Sequence, residues 1–152
     1  MVKQFDGLNT DEIELMYKAP ILVSILIAGA DGNIDKSEIR QAVITAQNQS
    51  LKGASELDDF LKDASADFED KLKILLNAYP VNYENRNEQI INDLSNINSI
   101  FTKVDKHFSK SLYNYLKDLA RQVAESSGGV LGFKKVGSDE AKLLDLPMIN
   151  IP

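Results

Sequence analysis

The residues best suited to chemistry are carboxylates at two turns: Asp31, Asp35 and Glu38 in Ala30-Asp31-Gly32-Asn33-Ile34-Asp35-Lys36-Ser37-Glu38, and Asp139 and Glu140 near the C-terminus. Asp31 follows an apolar run, Ile21 to Ala28, where a helix ends and leaves backbone carbonyls without intrahelical partners. Carbonyl and carboxylate oxygens are hard ligands, and such a set suits Ca²⁺ or Mg²⁺. The five carboxylates could converge if the two halves of the chain pack together. An EF-hand does not fit. That loop spreads its ligands over about twelve residues around a central glycine, and Glu38 follows Asp31 too closely. A second reading is structural. Asp31-Gly32 is a turn pair, and Asp35 with Glu38 is a capping box in which Asp35 accepts from free helix amides. Both readings remain open on the sequence.

Other chemistry finds little support. Cysteine is absent and histidine occurs once, as His107. This removes thiol catalysis and cysteine-ligated zinc. His107 lacks the neighbours of a nucleophilic triad, and neither a Walker loop nor a dinucleotide-binding glycine pattern is present. Gly128-Gly129 with Gly132 precedes the next helix by too many residues to cradle an anion at its start. Acidic pairs such as Asp58-Asp59 and Glu69-Asp70 fall on polar helix faces. No catalytic residue and no cofactor beyond the cation are expected, and the chain reads as non-enzymatic.

The elements that must position these residues are helical throughout. Apolar residues recur every three or four positions, and no alternating strand pattern occurs. Thr10 reads as the cap of a first helix, with Asp11 and Glu12 in its first turn. Pro20 should break or kink that helix and begin another, which runs to about Gly29 and is apolar on nearly every side, as a central buried helix is. Further helices are expected from Asp35, from a cap at Ser55, over Asp67–Tyr79, from Asn85 to Val104 and through Leu112–Val123. A break is expected at Asp105–Ser109. The helix carrying Leu112–Val123 should end at Ser126–Gly129, and a short one should cover Asp139–Leu146. The tail, Met148 to Pro152, is apolar enough to dock. Tyr113, Tyr115, Phe101 and Phe108 read as core or partner surface, and Tyr115, which lies off the Leu112–Leu116–Leu119 stripe, would mark a contact surface if exposed.

The prediction is therefore all-α: a compact bundle of about seven helices forming a single domain over 1–152. It would have two degenerate related halves, because an apolar–cap–x–x–Glu pattern recurs at Ile34–Glu38 and Val136–Glu140. The chain of 152 residues is 43% hydrophobic with a net charge of −6. That size can bury a self-sufficient core, and the acidity disfavours nucleic acid as a partner. The N-terminus lacks a signal-peptide pattern, and the longest apolar run is shorter than the roughly twenty residues of a membrane span. A cytoplasmic location is the expectation.

Ala30–Glu38, with the apolar helix before it, resembles the first signature of the TerB-like tellurite-resistance family, and Gly128–Glu140 resembles the second. The likeness would cover about Thr10 to Leu146. It implies a helical bundle of two related halves in a bacterial stress-associated protein, with acidic residues near the signatures binding metal ions. The second copy departs from the first, carrying Glu125-Ser126-Ser127 where the first has Asp31-Gly32, which makes the acidic site asymmetric. Expected partners are proteins, with association at the periphery of a membrane complex or as a homodimer also compatible.

Overall fold

The computed structural model describes residues 3–29, 34–50, 57–128 and 142–152. Among these, seven α-helices and no strand are present, so the expected all-α bundle is what the chain forms. The helices are α1 (Thr10–Ala28), α2 (Lys36–Ser50), α3 (Asp58–Ser65), α4 (Phe68–Ala78), α5 (Tyr83–Ser95), α6 (Ile97–Phe101) and α7 (Lys106–Gly128). A 3-10 turn at Lys3–Phe5 precedes them, and residues 142–144 form one further helical turn. No described helix is long and apolar enough to cross a membrane.

α1 is the axis of the fold. Every residue from Ala19 to Ala28 is buried, and the helix packs against all six others. Its start is fixed by a capping box one residue earlier than the sequence suggested. Asn9 Oδ1 accepts from the Glu12 amide at 2.8 Å, and Glu12 Oε1 accepts from the Asn9 amide at 3.0 Å. The expected break at Pro20 does not occur, because α1 runs through it. Proline removes one amide and crowds the preceding turn. Here the apolar surroundings on all sides outweigh that cost, and the Ser24 hydroxyl donates back to the Pro20 carbonyl at 2.8 Å.

α7 covers α1 along one side and packs on α2 along another. Two neighbours require a broad apolar face, and this explains Tyr115, which is buried rather than exposed. Burial pushes its phenol well above the ordinary range. Phe5, planted by the N-terminal turn, joins Tyr17, Phe60 and Phe108 in an aromatic cluster. Its ring meets theirs edge-on at 5.5, 5.9 and 5.6 Å, and Tyr17 stacks on Phe60 at 5.4 Å.

Two further boundaries differ from expectation. Asn82, not Asn85, caps α5 and accepts from the Asn85 amide at 3.0 Å. The helix expected to continue to Val104 stops at Ser95, where the Asn96 amide turns back to the Asp93 carbonyl. α6 then carries Ile97 and Ile100 into the core. α7 is capped by Asp105, whose Oδ2 accepts from the Phe108 amide at 3.0 Å. The proposed Ser55 cap, the loop beyond Gly128 and the second signature lie outside the described residues.

Candidate functional site

Of the five carboxylates singled out, Asp31, Asp139 and Glu140 lie outside the described residues. Asp35 and Glu38 stand at the first turn of α2. Asp35 Oδ1 accepts from the amides of Ser37 at 2.8 Å and Glu38 at 3.2 Å. One oxygen is thus committed to starting the helix, as an N-cap requires. The Glu38 carboxyl is held above its ordinary value, first by burial and then by the nearby negative charge of Asp35. The two acids therefore face one another electrostatically. Among the described residues, no group of three or more potential ligands gathers as a metal site.

The end of α1 holds a residue that the sequence reading missed. Arg86 of α5 is only 7% exposed, and its Nη2 donates to the Gly29 carbonyl at 3.1 Å. The carbonyl end of a buried helix carries partial negative charge, and the guanidinium supplies the complement. A cation placed there would compete with Arg86. Burial lowers the guanidinium's affinity for its proton, and its Nε has no partner. Gly29 permits the approach. A Cβ on it would lie 2.9 Å from the Ile25 carbonyl and closer still to Arg86 Nη2. The signal was spacing. Arg86 stands four residues before Ile90 and eight before Leu94, on the buried stripe of α5. Its acidic and amide neighbours disguised it as surface.

No family model, curated protein or solved structure matches the chain.

A broad concavity lies elsewhere, between α1 and α4. It is a groove of about 710 Å³ with Ile13, Tyr17, Ile21 and Leu75 among its lining residues. Ile74 also lines it and is 64% exposed. Glu14, Lys18 and Lys71 supply charge at its walls. Its closed side is held by polar contacts, with the Tyr17 hydroxyl donating to Asp63 Oδ2 at 3.1 Å and Lys71 Nζ donating to the Asp63 carbonyl at 3.1 Å. α4 itself is shallowly seated, burying only Leu72 and Leu75 fully. His107 stands exposed in the first turn of α7.

Proposed function

We propose that this chain is a non-enzymatic interaction module that presents the α1–α4 groove to an amphipathic segment of a protein partner. The observation that carries this reading is Ile74, a large aliphatic side chain left exposed over an apolar groove with charges of both signs at its walls. Exposed apolar surface rimmed by polar groups marks association sites, and a segment with one apolar and one charged face would satisfy both parts. Photo-crosslinking from position 74 in cells tests it. The expected result is a discrete adduct from position 74 and none from Glu84 on α5. Equal labelling from both positions, or no adduct from 74, would count against it.

A second reading follows the TerB-like resemblance: a stress-associated bacterial protein that binds Ca²⁺ or Mg²⁺ weakly at the acidic turn. What favours it is the mutual proximity of Asp35 and Glu38 at the head of α2. Calcium and magnesium titration followed by thermal shift separates the two readings. A rise in Tm that Asp31→Ala abolishes would support the cation. The absence of any rise would leave those carboxylates as caps alone.

A further inference from the structure

α4 is seated loosely among its neighbours. It buries only Leu72 and Leu75 fully, and α1 is its chief packing partner among the described residues. Open space flanks it on two faces. The α1–α4 groove lies against Lys71, Ile74 and Leu75. On the other face, two adjoining clefts of about 540 and 340 Å³ part α4 from α2, and Arg40, Phe68, Glu69 and Asp70 line both. Arg40 Nη1 reaches across to Glu69 Oε1 at 2.7 Å, but the two side chains are 62% and 67% exposed. An ion pair so open to water holds weakly. A surface helix keeps its place chiefly by burying a broad apolar stripe, and the stripe of α4 is narrow.

The two ends of α4 differ in how they are held. Asp67, which starts the helix, adopts φ 55° and ψ 35° and makes no side-chain bond to the turn it caps. In that left-handed region Cβ crowds the following carbonyl, so glycine enters freely and aspartate at a cost. Strain of this kind persists only where the surroundings impose it. At the far end Tyr79 turns to extended backbone, with φ −99° and ψ 159°, and Pro80 prevents the helix from continuing. There the Tyr79 hydroxyl donates to Asp93 Oδ2 of α5. α4 thus has a strained corner at its start and a polar anchor at its end.

We infer that α4 is a hinged wall of the groove, which parts from α1 and α2 as one unit by turning at the Asp67 corner while the Tyr79–Asp93 bond retains its far end. Parting breaks the Arg40–Glu69 pair and the Lys71 bond to the Asp63 carbonyl. It lets Asp67 leave the left-handed region, and it uncovers Ile13, Tyr17 and Ile21 of α1. A segment that binds those side chains favours the open form, and its apparent affinity falls in proportion to how rarely that form is populated. Control of docking rests on the groove receiving a partner segment, as proposed above. The opening itself does not, and is measured with no partner present.

Amide hydrogen exchange of the full chain, read residue by residue by NMR, tests the opening. The α4 amides from Leu72 to Ala78 should share one protection factor, at least roughly a hundredfold below that of Leu116 to Ala120 in α7. Asp67→Gly removes strain from the closed form alone and should slow α4 exchange roughly threefold. Val123→Ala, at a buried position of α7, weakens the bundle that stays closed when α4 parts. It should speed exchange in α7 and leave α4 unchanged. The inference is overturned if α4 protection falls off gradually from the helix ends, or if α4 exchanges no faster than α7. It is equally overturned if Asp67→Gly leaves α4 exchange as it was, or if Val123→Ala speeds both helices alike. Photo-crosslinking from position 74 is independent of these readouts. Its failure beside cooperative exchange of α4 would remove the docking and leave the hinge.

Discussion

Arg86 donates a hydrogen bond to the carbonyl of Gly29, joining the middle of the chain to the end of its central helix. The two residues depend on each other, because the arginine needs a neighbour without a side chain and the carbonyl needs a donor. Gly29→Ala should destabilise by about 1–3 kcal/mol through overpacking. Arg86→Met should cost about 1–2 kcal/mol, since it leaves the carbonyl unpaired but relieves a buried charge. Arg86→Ala should cost more by leaving a void. Urea unfolding of the double variant Gly29→Ala/Arg86→Ala should show less loss than the two single variants combined. Strict additivity would mean that the two sites are uncoupled.

Glu38 and Glu12 should respond to acid in opposite directions. The Glu38 carboxyl is raised from its ordinary value of 4.5 by burial and by Asp35. The folded state therefore binds this proton more readily than the unfolded chain does. Stability assigned to Glu38 should rise as pH falls through the region above 4.5 and decline as pH increases. Compared with Glu38→Gln, wild type should gain in Tm between pH 7 and pH 4.5. A divalent cation bound at the turn would lower this carboxyl and reverse the trend, so repeating the comparison in calcium gives an independent view of the acidic turn.

For Glu12 the sign is the reverse. Its carboxyl is held below 4.5, first by the hydrogen bond from Lys103 and then by that from the Asn9 amide. Lys103 Nζ lies 2.7 Å from Glu12 Oε2. This contribution is complete above the ordinary carboxylate value and is lost as pH falls through the depressed one. Lys103→Met should therefore lower Tm at pH 7, and the difference from wild type should fade toward pH 3. Asn9→Ala should cost about 1 kcal/mol by removing the cap oxygen.

On α4, neighbouring residues should behave in contrasting ways. Ile74→Glu should change stability by no more than about 0.5 kcal/mol, because the side chain is already in water. Leu75→Ala, one position along and buried, should cost about 2–4 kcal/mol. Paired thermal melts check this. A large loss for Ile74→Glu would mean that Ile74 supports the fold rather than faces a partner.

The sequence predicted the central burial of α1 because a run from Ile21 to Ala28 with no polar face allows little else. It misplaced Pro20 because local rules treat proline as a boundary, whereas packing on every side holds α1 continuous. It misplaced the α5–α6 junction because Ile90, Leu94 and Ile97 keep helical spacing across it, so periodicity alone gives no sign of the turn at Asn96. The capping role of Asp35 was legible, since caps are local. Arg86 and Asn98 were not, because each acts on backbone fifty or more positions away and neither partner carries a side-chain signature. The groove was equally hidden. Ile74 has the same residue type as the core, and only the shallow seating of α4 exposes it.

The contact of α1 with every later helix also bears on how the chain is made. Synthesis proceeds from the N-terminus at about 5–20 residues per second. The most apolar helix, α1, therefore emerges well before α7, which closes over it. For several seconds the nascent chain carries a greasy segment with no finished cover. The central helix thus waits, during synthesis, for the helix that completes its cover.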